Sequence, residues 1–416
     1  MRGRASGWAA PKLLALVLSG LTVTSWAQSQ SAARERLPSF VTQGSAELDF
    51  RYRYEWVDQD GFDDRAKASL LRSRLTLESG PLGPISASFE IDNVSNVGPD
   101  DYNSTENGQV DFPTVADPQG TDINQVFLKL ATPRLEGGLG RQRIVLGDMR
   151  FIGSKPWRNN EQTYDGGRLQ WKATSGLSFD ASYVARVNRI FGPDDGFNPA
   201  DWRGDSVFLR SDFRLAEKHQ LGAFLYALDV DTQAGFSAAQ TVNNSSKSTG
   251  LEYHGEFSGV KLRTAVAVQR DAGRSELSYR ADYYVVELHA PYAGLEFKAA
   301  YEVLGADNGV GFATPLANGH RYQGWADRFL ATPADGLKDA WVSVNGKIGA
   351  VALTGRYHDF RAEASSETFG QELDLQAQWS VNGYLTATLK TAVFDSKAPS
   401  RYPDTTKAWL IMQLRF

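Results

Sequence analysis

The stretch Ala46-Glu-Leu-Asp-Phe-Arg-Tyr-Arg-Tyr-Glu-Trp56 alternates between apolar and charged residues without a break. Ala46, Leu48, Phe50, Tyr52, Tyr54 and Trp56 fall on one parity; Glu47, Asp49, Arg51, Arg53 and Glu55 fall on the other. Side chains of a strand point alternately to its two faces. The segment therefore reads as a strand with one greasy, aromatic face and one fully charged face. Such a strand suits a wall with lipid outside and a watery lumen inside.

The same design recurs downstream. Leu71, Leu75 and Leu77 oppose Arg72, Arg74 and Thr76, and Ile85, Ala87, Phe89 and Ile91 oppose Ser86, Ser88, Glu90 and Asp92. Leu177, Phe179, Ala181, Tyr183, Ala185 and Val187 oppose Ser178, Asp180, Ser182 and Arg186. Later come Leu251 and Tyr253 against Glu252 and His254, and Leu373 and Leu375 against Glu372 and Asp374. About 18 such strands are expected, an even number as a bacterial barrel requires. Their connections sort by parity. Tight turns such as 174–176, 216–218 and 258–259 alternate with long loops such as 93–120, 147–164 and 305–337. Short turns on one side and long loops on the other are how outer-membrane barrels are built. The fold class expected is an all-β transmembrane antiparallel barrel. The segments 137–146 and 221–230 leave their register open, the second being apolar on both faces. Tyr54, Trp56, Trp171, Tyr253, Tyr283, Tyr284 and Trp379 lie near expected strand ends and suit interfacial girdles.

The two ends agree with this reading. Arg2, Arg4 and Lys12 precede and flank the apolar run 13–23, and Ser25-Trp26-Ala27 fits a small-residue cleavage site. The expected organisation is a signal peptide over 1–27, an N-terminal periplasmic segment over 28–42 and a barrel over 43–416. The chain closes on a strand whose alternate residues Ala408, Leu410, Met412, Leu414 and Phe416 are apolar. A terminal Phe in that setting is similar to the assembly signal read by the barrel assembly machinery. The expected location is thus the bacterial outer membrane, in contact with its lipid and lipopolysaccharide. Cysteine is absent, so no disulfide framework is available in an oxidising compartment. With 44 basic against 49 acidic residues, the chain does not suggest nucleic-acid binding.

A barrel of this width cannot be filled by its wall side chains and leaves an aqueous channel. The inward parity carries Arg51, Arg53, Arg72, Arg74, Arg168 and Arg263, together with Glu47, Asp49, Glu55, Glu90, Asp92, Glu252, Glu372 and Asp374. Basic rings select anions and acidic rings select cations. Here the signs are mixed, so the wall reads either as mutually paired charges or as an arginine ladder for an anionic solute. The stretch from Gly140 to Gly166 stands apart, because it adds Arg141, Arg143, Arg150, Arg158 and Trp157 in the third long loop and its flanks. Guanidinium groups bind carboxylates in a bidentate fork, and an indole face can stack on a sugar. Folded inward, this loop would set the constriction.

This stretch, Gly140-Arg-Gln through Gly147-Asp-Met-Arg-Phe-Ile-Gly-Ser-Lys-Pro-Trp-Arg158 to Gln162-Thr-Tyr-Asp-Gly166, resembles the alginate-export family of outer-membrane barrels. The segment Phe312 to Leu330 looks like a loop of porin-like members of that family. The resemblance implies a basic-lined barrel, with Arg141, Arg143, Arg150 and Arg158 in the lining. The many lumenal carboxylates depart from that pattern. Two transport readings follow: passive diffusion of small hydrophilic, anionic or sugar-derived solutes, or secretion of an anionic exopolysaccharide such as alginate. A third, an outer-membrane barrel hydrolase, finds no supporting motif. None of His219, His254, His289, His320 and His358 falls in a hydrolase or zinc signature, and His358 and Asp359 point to opposite faces. No cofactor or metal is expected.

Overall fold

The computed structural model describes residues 38–416. The expected signal peptide and most of the 28–42 segment lie outside the described residues. A single helical turn, Ser39–Thr42, leads into β1.

Twenty strands follow, and 18 of them form one closed sheet. These are β1 (Ser45–Gln59), β2 (Ala66–Glu78), β3 (Ile85–Asp101), β4 (Gly120–Ala131), β5 (Leu135–Gln142), β6 (Thr163–Lys172), β7 (Leu177–Asn188), β8 (Asp201–Ala216) and β9 (His219–Leu228). They continue with β10 (Ser246–Phe257), β11 (Val260–Asp271), β12 (Arg280–Tyr292), β13 (Leu295–Leu304) and β16 (Leu337–Ile348). The last four are β17 (Val351–Arg361), β18 (Thr368–Ser380), β19 (Leu385–Ser396) and β20 (Thr405–Arg415). The remaining pair, β14 (Ala306–Asp307) and β15 (Val310–Gly311), is a small hairpin in the loop between β13 and β16. Every barrel strand pairs antiparallel with its neighbour in sequence, and β1 closes the ring against β20 with Tyr52 opposite Met412. The amide of Phe416 donates to the Leu48 carbonyl at 3.0 Å and that of Leu48 to the Phe416 carbonyl at 2.8 Å, so the terminal residue extends the closing seam.

Alternation decides which side each residue faces. In β1, Asp49, Arg51, Arg53 and Glu55 are buried inside, and Leu48 is exposed on the outer surface. Leu169, Trp171, Phe179, Leu251, Val266, Tyr284, Leu375 and Trp379 are likewise exposed on the outside. A continuous apolar exterior around a polar wall is a surface that only a bilayer covers. No helix among the described residues is long and apolar enough to cross a membrane.

Two of the expected outward residues, Val187 and Tyr283, face inward instead. A bulge between Val184 and Arg186 adds a residue to β7, which turns Val187 inward, where it is buried beside Val184, already on the inner face by alternation. Val187 therefore does not share the lipid face of Tyr183. Tyr283 is buried inside and so leaves the expected girdle, because adjacent strand residues cannot both face lipid. Strand β5 ends at Gln142, and 143–162 then enters the lumen.

A lumen closed by two loops

The interior is filled from the long-loop side by 143–162 and 305–336. Ile144, Leu146 and Ile152 of the first loop join Phe312, Leu316, Trp325 and Phe329 of the second in one buried apolar cluster. Inward Phe224, Tyr226, Leu228 and Tyr283 of the wall belong to the same cluster. Phe151 packs on Phe224 at 4.9 Å and on Tyr283 at 5.2 Å between ring centroids. This explains the 221–230 segment: its second apolar face meets a loop, not water. Backbone contacts fasten the loops together. Gly153 N–H donates to Leu316 O at 3.0 Å, Asn318 N–H to Met149 O at 3.0 Å, and Lys155 Nζ to Pro315 O at 2.7 Å.

At the centre stands Trp157. Its ring stacks on His320 at 3.9 Å with 5° between planes, and Trp409 meets it edge-on at 5.6 Å. The Arg53 guanidinium lies 4.3 Å from the Trp157 centroid, and Lys390 Nζ lies 4.2 Å from it on the lumen wall. Lys390 Nζ is also 3.5 Å from the Trp325 ring and 2.6 Å from His320 Nε2. Lys390 makes no ion pair among the described residues, and the electron-rich indole faces are what its cationic end packs against. His320 Nδ1 pairs with Asp327 at 2.8 Å. Burial pushes the His320 imidazole down to about 3, with Lys390 adding to the effect against the pull of Asp327. It is neutral at physiological pH. Burial alone would raise the Asp327 carboxyl, but His320, Lys407 and Arg158 outweigh it and hold the group well below the usual carboxylate range.

Most of the arginines singled out in sequence converge on the two loops with acidic partners. Arg72 binds Asp49 at 2.8 Å, and Arg74 binds Asp92 at 2.6 Å and Glu161 at 2.9 Å. Arg143 grips Glu161 and reaches Glu90 at 2.5 Å. Arg53 bonds Glu55 at 2.6 Å and donates to Trp157 O. Arg158 reaches Asp327 at 3.1 Å and Glu55 at 3.6 Å. Arg150 is fully buried on Glu302 at 2.6 Å. Further round the wall, Arg168 pairs with Asp180 at 2.6 Å, and Arg263 with Asp148 at 2.8 Å and Glu252 at 3.0 Å. Arg51 differs. Its guanidinium donates only to backbone carbonyls, Pro156 O at 2.9 Å and Trp157 O at 2.5 Å, and it makes no ion pair among the described residues.

Arg141 departs from the expected lining. It stands opposite Val126 in the β4–β5 ladder, next but one to Leu139, and those two are 48% and 67% exposed on the outer face. Its guanidinium is held by Asp165 at 2.8 Å and Asp122 at 3.4 Å at the loop-side edge. Because β5 stops at Gln142, Arg143 escapes this parity and enters the lumen. Sequence reasoning missed His320, Asp327, Trp325 and Trp409 as members of the central cluster. Only the 312–330 family-like segment had drawn attention to the first three.

On the short-turn side of the loops a cavity of about 400 Å³ remains, bounded by His254, Lys261, Arg263, Glu287, His289 and Arg321. It is a charged antechamber beneath the Trp157 cluster.

A sequence model of the family described as Alginate export matches residues 43–302. No curated protein sequence matches the chain. Solved barrels resemble it in fold. OccAB2 of Acinetobacter baumannii is 16% identical with a TM-score of 0.69, over 91% of this chain and 100% of that one. OccK9 (OpdG) of Pseudomonas aeruginosa is 16% identical with a TM-score of 0.68, over 91% and 100%. OpdK of Pseudomonas aeruginosa, solved with vanillate, is 15% identical with a TM-score of 0.68, over 91% and 99%.

Proposed function

The chain belongs to the alginate-export family, and from that premise we propose that it is an outer-membrane channel for passive diffusion of small anionic solutes. The observation that carries this reading is a pair of lumenal basic side chains, Arg51 and Lys390, that make no ion pair among the described residues and lie beside the stacked Trp157 and His320. A carboxylate that reaches the centre meets two basic side chains that make no ion pair among the described residues. A flat ring or sugar attached to it meets indole faces. The vanillate bound by OpdK is a small aromatic carboxylate, which is the chemistry this cluster suits.

Secretion of a polymer such as alginate is the second reading, favoured by the family description. Two loops packed into the bore oppose it, since a chain of linked sugars needs a longer unobstructed path than a single small solute. Ion pairing of most lumenal arginines opposes it too, since it leaves few cations for a repeating polyanion. The two readings separate in planar bilayers. A small-anion channel gives stepwise conductance with a reversal potential of anion-selective sign across a salt gradient, and vanillate or galacturonate reduces the current. Arg51→Gln with Lys390→Gln shifts that potential towards zero. A cation-selective wild type, or a double variant with unchanged potential, would reject the proposal. Block by alginate chains but not by monomeric carboxylates would favour the polymer.

A further inference from the structure

On the lipid-facing surface, near the long-loop ends of β10, β11 and β12, three basic residues stand side by side. Lys247 is opposite Arg270, and Arg270 is opposite Arg280. All three are exposed and share the outward parity of Leu251, Val266 and Tyr284. Like charges directly opposite each other on neighbouring strands, about 5 Å apart, destabilise a sheet. Arg280 has Asp282 at 3.3 Å, whereas Lys247 and Arg270 make no ion pair among the described residues. A row of cations kept at the loop-side edge of a lipid-covered wall calls for an anion supplied by the membrane.

Directly below the row the outer wall is recessed. Thr249, Val268 and Asp282 form the next rung, and Leu251, Val266 and Tyr284 the one after. Ala223 and Ala181 are small residues between Leu225, Leu209 and Phe179, and they leave an apolar recess of about 840 Å³ across β7–β12. Tyr284 stands four residues below Arg280, about 13 Å along the strand, at the level where an amphipathic ring anchors a membrane interface.

We propose that Lys247, Arg270 and Arg280 bind the phosphate groups of a phosphorylated glycolipid of the outer leaflet, with its acyl chains lying in the recess beneath. The headgroup neutralises cations that would otherwise repel, and the chains fill a hollow that the wall side chains leave. Each element alone is ordinary for a barrel. Their stacking along the same strands gives the amphiphile both of its contacts in one register.

The test is native mass spectrometry of the purified barrel in detergent, titrated with bis-phosphorylated hexa-acyl lipid A. Wild type is expected to retain lipid A, and the Lys247→Gln, Arg270→Gln, Arg280→Gln triple variant to bind about a hundredfold more weakly. Ala223→Trp, which fills the recess and leaves the cations, weakens binding as well. Heat-modifiable mobility identifies folded protein in every sample, and conductance is not involved, so the result is independent of the solute. Equal binding by the triple variant and wild type would overturn the site. So would equal binding of lipid A stripped of its phosphates, or full displacement by inorganic phosphate at matched phosphate concentration, which would indicate a free-anion site.

Discussion

Glu161 is the acidic pin of the 143–162 loop, and Glu161→Gln tests how that loop is held. Its carboxylate faces Arg74 at 2.9 Å, Arg72 at 3.8 Å and Arg143. Burial alone would raise its pKa, but Arg74 and Arg143 outweigh it and bring it from 4.5 to about 2. A shift of that size corresponds to about 3 kcal/mol of interaction. Breaking a buried pair from one side typically costs about 3–5 kcal/mol, so the two figures agree. The wall does not collapse in the variant, because Arg72 keeps Asp49, Arg74 keeps Asp92 and Arg143 keeps Glu90. The loss falls on the seating of the loop. About 3 kcal/mol multiplies the population of the unseated loop by roughly a hundredfold. Amide exchange across 143–162, followed by mass spectrometry in detergent, is expected to rise by about that factor while the strands stay protected. The reversal potential is expected to move further in the anion-selective direction, because three guanidinium groups lose a shared acid. The sign with pH follows from the lowered pKa. The contribution is complete above the unfolded value near 4.5 and is lost as pH falls through about 2. A folded variant with wild-type exchange in the loop and unchanged selectivity would refute the argument.

Two further outcomes are expected. Trp157→Ala removes the stack on His320 and the platform under Arg53 and Lys390; loss of a packed aromatic costs about 3–5 kcal/mol locally, so single-channel conductance should increase, and an unchanged conductance would show that this ring does not close the centre. Lys155 is pushed down to about 7 by burial, with Arg189 and Arg158 adding to it; the folded loop then binds fewer protons than the unfolded one between pH 7 and 10.5, so its stability rises with pH through that window. Loop protection, corrected for intrinsic exchange, should increase above pH 7 in wild type and stay flat in Lys155→Met; equal slopes would discount Lys155.

Much of the barrel was legible because its signal is local. Ala46–Trp56 states its own two faces, and nothing distant can alter the period of two in a regular strand. Where an extra residue enters, the period breaks, and sequence gives no warning. The bulge at Val184–Arg186 moves Val187 inside, and the end of β5 at Gln142 separates Arg141 from Arg143. The apolar double face of 221–230 was visible, but its meaning needed Phe151, a residue of a loop that returns through the lumen.

The chain by itself determined the strand faces, the sorting of short turns from long loops and the sign of each wall charge, since all of these follow from neighbouring residues and backbone geometry. Tertiary structure decided which charges remain available. Glu161 meets Arg74 from 87 positions away, and Asp327 meets Arg158 from 169. Whether a lumenal arginine is a ligand for solute or a partner for a carboxylate depends on what two long loops bring to it. That left Arg51 and Lys390 without an ion pair among the described residues, although nothing in their own strands distinguishes them from Arg53 or Arg72.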